Sequence, residues 1–448
     1  MANLLIENGA NVNATDVTGR TILIDAVQAM NEEMIKLLLS KGANPHLQEK
    51  YPELTVNFTK VFFSSLLGGI LGILFLIPFR KYFVKEQHGK YPFPEATATT
   101  QVLVSGQKKG KDSLLLVVSG LIGGVYDFLV STFGLWTETL STKVMTWGLA
   151  VADSAKLMFK VNVGAAVLGL GYIIGLKYAF IICCGSMLVW FVIIPGMNIF
   201  WGNEVIDLMN SGISMTIGQM EPEMIFKEYA RHIGIGGIAM AGIIGIFRSW
   251  GIIKSAVGLA AKEMGGKKET TQVKRTQKDL SMKVIAFGSI FTLLLTFVFF
   301  LTDVMHGNWL HSIVAILLVA GISFLFTTVA ANAIAIVGTN PVSGMTLMTL
   351  ILASVVMVAV GLKGATGMVA ALVMGGVVCT ALSMAGGFIT DLKIGYWLGT
   401  TPAKQQTWKF LGTLVSAATV GGVIMILNKT YGFTSGALAA PQANAMAA

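Results

Sequence analysis

The stretch from residue 311 to residue 362 most constrains the fold, because it is long, apolar and free of charge. It contains no Lys, Arg, Asp or Glu. About 20 apolar residues span the hydrocarbon core of a bilayer, so this stretch is long enough for two crossings. In its middle stands Gly338-Thr339-Asn340-Pro341-Val342-Ser343-Gly344. We therefore expect two apolar helices separated by a break at residues 338–344.

This break has two interpretations that the sequence does not separate. Pro341 has no backbone N–H and cannot continue a helix undisturbed. Irregular backbone at membrane depth is tolerated only around a protein-lined or water-filled cavity, which is how many carriers build solute sites. Alternatively, Gly and Pro form an ordinary short loop between two spans.

The composition extends the membrane assignment to the chain after residue 55. Of the 448 residues, 54% are hydrophobic and 12% are charged, whereas a soluble domain has about 25% charged residues. We predict an all-α multi-pass protein of the cell (inner) membrane, with about 9–11 transmembrane helices and broken or re-entrant segments. The net charge of +9 comes from basic residues between apolar runs, which indicates cytoplasmic loops and not nucleic-acid binding.

The apolar runs divide into two membrane blocks, at residues 55–253 and 284–448, joined by a basic cytoplasmic linker at 254–283. A loop is expected at Asp391–Lys409. Basic residues place three segments on the cytoplasmic face: Arg80–Lys111, Lys254–Lys283 and Asp391–Lys404. The expected crossings are Val61–Ile77, Ser113–Trp136, Ala179–Trp201, Ile233–Ile253, Val284–Leu301, Gly364–Ile389 and Trp408–Leu427.

Several single features inside these runs are informative. Glycine pairs such as Gly68 and Gly72, or Gly120 and Gly124, have the spacing of closely packed helices. Asp127 is a carboxylate in an apolar run, and is either a proton site or a water-facing residue. Val161–Gly175 is short and either crosses or is re-entrant. The three cysteines lack disulfide or metal-site spacing, and no metal or cofactor is expected.

Residues 1–48 differ from the rest of the chain and contain a repeat. Leu4-Leu5-Ile6-Glu7-Asn8-Gly9-Ala10-Asn11 recurs as Leu37-Leu38-Leu39-Ser40-Lys41-Gly42-Ala43-Asn44, an offset of 33 residues. This period resembles the ankyrin repeat, which implies a protein partner. One unit and a fragment are fewer than the three or so repeats that stability requires.

Four stretches after residue 55 together resemble the oligopeptide transporter (OPT) family, which includes the yellow-stripe-like metal-chelate carriers. The resemblance is closest to the prokaryotic branch. The stretches are Tyr91-Pro92-Phe93-Pro94-Glu95 with Thr97-Ala98, Gly169-Leu170-Gly171-Tyr172-Ile173-Ile174-Gly175, Asn340-Pro341-Val342-Ser343-Gly344-Met345, and Asp391-Leu392-Lys393-Ile394-Gly395-Tyr396 continuing to Gln405-Gln406.

The resemblance implies a secondary carrier that imports small peptides or peptide-like metal chelates together with protons. A homo-oligomer is compatible with this interpretation. Glu95 is the first choice for a proton-linked carboxylate and Asp391 the second, although an ion pair or a solvated position would explain Asp391 equally well. The residues expected to form the substrate and ion pathway are Glu95, Thr97, Tyr172, Asn340, Pro341, Ser343, Gly344, Asp391 and Tyr396.

The chain also departs from the family pattern. Ala96, Gly387 and Ile394 replace a usual Gly, an acidic residue and a Thr. Family members begin with additional spans before Val61 and continue past a stretch like Pro441-Gln442-Ala443. We therefore expect this chain alone to transport poorly or not at all. The alternative is an inactive transporter fragment fused to an ankyrin-like interaction segment; an enzyme is rejected, because no His-Glu-x-x-His or Gly-x-Ser-x-Gly motif occurs.

Overall fold

The computed structural model describes residues 57–107, 111–206, 214–234, 274–338, 342–362 and 364–431, with isolated positions between 37 and 41 and between 236 and 258. Most of the ankyrin-like segment at 1–48, about half of the expected span Ile233–Ile253 and most of the linker at 254–283 lie outside the described residues. The structures expected for these three segments remain predictions.

The described chain is almost entirely helical. A short 3₁₀ turn and a π turn, Ile77–Phe79 and Lys81–Glu86, extend the first helix. The helices are α1 (Phe58–Leu76), α2 (Pro94–Gln107), α3 (Lys111–Phe133), α4 (Thr146–Ser154), α5 (Ala165–Ile174), α6 (Leu176–Met187), α7 (Ile194–Trp201), α8 (Pro222–Ile225), α9 (Met282–Phe299), α10 (Trp309–Val337), α11 (Val342–Ala359), α12 (Gly364–Leu398) and α13 (Pro402–Tyr431).

Seven described segments are long and apolar enough to cross a membrane, which confirms the all-α polytopic class. One small antiparallel sheet accompanies them: β1 (Thr139–Ser141) pairs with β2 (Lys160–Asn162). The seven segments are Phe58–Phe79, Ser113–Phe133, Leu176–Trp201, Arg275–Val304, Trp309–Val337, Thr366–Leu398 and Pro402–Thr430.

A central bundle, which we define as α1 and α9–α13, contains most of the buried core. Helices α1 and α12 run parallel and approach closely, because Gly68 and Gly72 present bare backbone to α12. A Cβ at Gly68 would collide with the Val377 carbonyl, and one at Gly72 with the Ala381 carbonyl. Small residues thus allow the backbones of two helices to touch.

The expected loop at Asp391–Lys409 is wrong, because both of its ends are helical. Helix α12 continues to Leu398 and α13 begins at Pro402. The connection follows Gly399, whose φ of +72° ends the helix. Three of the charged residues that suggested a loop, Asp391, Lys393 and Lys409, have polar partners within the fold, so helix α12 extends beyond its apolar part.

Helices α10 and α11, which flank the break at residues 338–344, form an antiparallel hairpin. Helix α10 ends where Gly338 adopts a φ of +83°, and α11 begins at Val342. At the other end of the hairpin, His311 Nε2 lies 3.3 Å from the Val360 carbonyl oxygen. This arrangement favours a short loop between two helices over one interrupted helix.

The run Val161–Gly175 is also shorter than a crossing. Lys160–Asn162 is a strand, and α5 contains only 10 residues, or about 15 Å of helix. A helix of about 15 Å is too short to cross the bilayer core by itself, so of the two interpretations the re-entrant segment fits α5 better.

Candidate functional site

The turn after α10 lies directly against the segment that carries Glu95. A Cβ added to Gly338 would collide with the Pro94 ring and stand 3.3 Å from Glu95 Cγ. The Phe93 N–H donates to the Ala335 carbonyl across 2.9 Å. Two stretches predicted to contribute to one site, far apart in sequence, are therefore adjacent.

Phe93 holds this segment in an unusual conformation. Its φ is +42°, a left-handed value that non-glycine residues seldom adopt. Its ring is 1% exposed, and its carbonyl accepts from the Thr97 N–H at 2.8 Å. The Thr97 hydroxyl donates to the Pro92 carbonyl at 3.0 Å. Burial and hydrogen bonds on both sides thus maintain a strained turn, a feature that is common at functional sites.

Glu95 lies in the first turn of α2 and remains exposed. Partial burial raises the pKa of its carboxyl above the ordinary glutamate value, since desolvation disfavours the charged form. The carboxyl therefore retains its proton to a higher pH than a fully solvated glutamate would.

Only part of the hairpin turn is described. Asn340 and Pro341 lie outside the described residues, and Ser343 and Gly344 are described only as backbone in the first turn of α11. Their expected contacts with a substrate remain a prediction.

Asp391 forms an ion pair at the junction of α12 and α13. Its Oδ2 atom lies 2.6 Å from Lys409 Nζ, and its carbonyl accepts from Gln405 Nε2 at 3.2 Å. Gly395 faces Gln405 and Thr400 so closely that a Cβ there would overlap both side chains. These contacts give the motif a structural explanation, as a tight corner between two helices.

Lys393 was expected in a solvated loop but is almost fully buried, at 1% exposure. Its Nζ donates to the Val84 carbonyl at 2.9 Å and lies 3.1 Å from His88 Nδ1. Three aromatic rings surround the amine, with centroids 5.0 Å (Phe93), 5.3 Å (Trp397) and 5.4 Å (Tyr396) from Nζ. The expected pathway residue Tyr396 thus lies beside this amine, with its ring 5.4 Å from that of His88.

A second buried polar cluster, also missed by sequence reasoning, connects the segment after α1, the segment before α9 and helix α13. Arg80, 2% exposed, binds both oxygens of Asp279, with Nε 2.5 Å from Oδ1 and Nη2 2.8 Å from Oδ2. Gln406 is fully buried; its Nε2 donates to Asp279 Oδ1 at 2.7 Å, and its Oε1 accepts from the Leu280 N–H at 2.8 Å. The Ala403 N–H also donates to the Lys278 carbonyl at 3.0 Å, so the three segments predicted to be cytoplasmic meet at one end of the bundle.

Two other candidates gain no support as pathway residues from their surroundings. Tyr172, on α5, is 90% exposed, so its side chain is not part of a buried polar cluster. Asp127 Oδ1 accepts from the Ala165 N–H at 3.3 Å. A carboxylate at the first residue of α5 satisfies a helix terminus, which explains Asp127 without a proton-transfer role.

Comparison with known families finds two matches in this chain. The family model described as "OPT oligopeptide transporter protein" matches residues 35–448, and the model described as "Ankyrin repeat" matches residues 18–50. The first match covers the whole central bundle and the Glu95 segment.

Two individual proteins each show one of these two similarities. A Haemophilus influenzae protein described as "Putative oligopeptide transporter" is 27% identical over 414 residues, which cover 85% of this chain and 62% of that protein. A Treponema pallidum protein described as "Putative ankyrin repeat-containing protein" is 33% identical over 73 residues, which cover 16% of this chain and 24% of that protein. The chain therefore spans less than two thirds of the length of the transporter relative.

Proposed function

The chain belongs to the OPT oligopeptide transporter family, and on that premise we propose that it carries small peptides or peptide-like metal chelates across the cell membrane with protons. The site lies where the α10–α11 turn meets the Glu95 segment. Glu95 is the proton-linked carboxylate, and residues Asn340 to Gly344 supply polar groups that bind the substrate.

The contact of Gly338 with Pro94 and Glu95 is the observation that carries this proposal. It places the Glu95 side chain beside the end of α10, from which the chain leads to the family-like stretch Asn340–Met345. The N-terminus of α11 also begins at this turn, and helix N-termini favour anionic groups. A peptide, with an ammonium at one end and a carboxylate at the other, matches a site that offers both kinds of partner.

Uptake into proteoliposomes tests the proposal. With the same pH on both faces of the membrane, we expect uptake of labelled trialanine by the full chain to increase as that pH falls through the raised pKa of Glu95, because the protonated carboxyl is the loaded form. Glu95→Gln mimics that form permanently and should flatten the pH profile. Glu86→Gln removes an exposed carboxylate shortly before the same segment and should leave the profile unchanged.

Two results would count against the proposal. One is saturable uptake whose pH profile is the same in wild type and Glu95→Gln at matched protein content. The other is an equal flattening by Glu86→Gln, which would indicate a general surface-charge effect.

A second candidate, favoured by the ankyrin match at residues 18–50, is a protein-interaction role in which the membrane part no longer transports. Here a partner from the same cell should be retained by the full chain and lost when residues 1–48 are deleted. Saturable proton-dependent uptake by the full chain would rule out this candidate, while its absence together with specific retention would support it.

A further inference from the structure

The amine of Lys393 carries a buried positive charge with no carboxylate partner in the described structure. Each carboxylate near this end of the bundle is either committed elsewhere or not in contact: Asp391 pairs with Lys409, and Asp279 pairs with Arg80. The amine instead has one carbonyl, one imidazole nitrogen and three aromatic rings around it.

These partners compensate the charge only in part. A buried ammonium loses hydration, and that loss is recovered fully only when a negative charge with good geometry replaces the water. The Val84 carbonyl and the ring faces supply partial negative charges. The surroundings therefore stabilise the ammonium group in part, and an anion would complete its stabilisation.

His88 occupies the position that an anion would take. Its Nδ1 lies 3.1 Å from Nζ, and with the amine charged this nitrogen accepts the hydrogen bond, which places the ring proton on Nε2. His88 is exposed whereas Lys393 is not. Rotation of this one side chain towards solvent would free the Nζ donor that now binds the imidazole, and a carboxylate oxygen in its place would make the stronger, charge-assisted bond.

The amine is also tied to the proposed transport site by a single residue. The Phe93 ring covers Nζ at 5.0 Å, and the next two residues, Pro94 and Glu95, lie on the Gly338 turn. A ligand at that turn therefore has a carboxyl on one side of Phe93 and an amine on the other.

We propose that Lys393 binds the terminal carboxylate of a peptide substrate, with His88 holding that place when no ligand is bound. This assignment rests on the proposed peptide transport, and it adds the group that recognises the C-terminus. It follows that a free C-terminal carboxylate is required for tight binding and that His88 competes with the ligand.

Equilibrium binding to the full chain in lipid nanodiscs tests this assignment without requiring transport. The probes are trialanine, trialanine amide, which lacks the negative charge, and acetate as a competitor. We expect the amide to bind at least about tenfold more weakly than the acid, the contribution of a charge-assisted bond. Acetate should compete with the acid and have little effect on residual amide binding.

Variants separate the amine from the fold around it. Lys393→Met should abolish the preference for acid over amide, and Lys393→Arg should retain it. His88→Ala should strengthen binding of the acid several-fold, an effect that a purely structural role of the Lys393–His88 contact would not produce. Lys404→Met, which removes an exposed lysine from the same end of the bundle, is the matched control and should bind like wild type.

The outcomes distinguish this inference from the proposed function. Equal binding of acid and amide, or an unchanged preference in folded Lys393→Met, overturns the Lys393 assignment and leaves peptide transport standing. Binding of neither peptide overturns both. If Lys393→Met does not fold, the His88→Ala result decides, and weaker or unchanged acid binding there overturns the assignment.

Discussion

The central bundle and the peripheral region, which we define as residues 111–206 and 214–230, use similar sequences in different ways. Gly68 and Gly72 in α1 touch the α12 backbone, whereas Gly120 and Gly124 in α3 have the same spacing, and a Cβ added at either would meet no atom of another element within 4 Å. Half of the residues in the most apolar part of Phe58–Phe79 are buried, against 6% of those in the most apolar part of Ser113–Phe133. Glycine spacing thus permits close packing, but the partner helix decides whether it occurs.

The two regions also differ in their charged contacts. In the bundle, Arg80 is buried with Asp279 and Gln406. In the peripheral region, Lys143 bridges Glu221 and Glu223, whose side chains are 73% and 40% exposed. The first contact is shielded from water and the second is not, so the same type of ion pair should differ strongly in energetic importance.

Replacing Arg80 by Ala should produce the largest destabilisation, about 3 kcal/mol, because it leaves the Asp279 carboxylate without its cation in a largely buried setting. Lys143→Ala should cost less than about 1 kcal/mol, as an exposed pair does. Denaturant unfolding of both variants in the same detergent measures the difference. Equal losses would remove the energetic distinction between the two regions.

Replacing Gly72 by Val should destabilise the bundle by about 1–3 kcal/mol, because the new side chain has no space against the Ala381 carbonyl and the helices must separate. The matched change Gly124→Val adds the same atoms to a surface with open space and should be close to neutral. Thermal unfolding in one lipid mixture compares the two. A larger loss for Gly124→Val would show that α3 is packed in the membrane.

Replacing Asp391 by Asn should have the smallest effect, below about 1 kcal/mol, because its pair with Lys409 is half exposed. Trialanine uptake should be nearly unchanged if the residue only stabilises the α12–α13 corner. If uptake is lost while the unfolding behaviour is unchanged, Asp391 is instead part of the proton pathway. Lys409→Gln, which removes the other partner, should match Asp391→Asn in both measurements.

The membrane class could be predicted from sequence because it depends on local runs of apolar residues, as in α1 and α10. Helix ends were harder to place. Lys393 resembles a loop residue when only its neighbours in sequence are considered, yet its first partner is Val84, 309 residues away. A buried cation is stable only in such a tertiary setting, and no local pattern encodes it.

The candidate site was predictable in the same partial way. Family-like motifs drew attention to Glu95 and to the break at residues 338–344, and in the structure Glu95 lies beside Gly338; the role of both in transport stays a prediction. The same motifs also drew attention to Asp391 and Gly395, which the structure explains by a helix corner. A shared motif therefore identifies positions under constraint, and the contacts indicate whether packing accounts for that constraint.

Phe93 has a mechanical consequence that follows from its three attachments. Its N–H is fastened to α10, its carbonyl to Thr97 in α2, and its ring to Lys393 in α12. A rotation about its φ angle swings the ring and the carbonyl relative to the N–H, so α10, α2 and α12 cannot shift independently at this point. Phe93 therefore couples the three helices through one backbone torsion. Its left-handed φ of +42° is less favourable than the negative φ values that most non-glycine residues adopt.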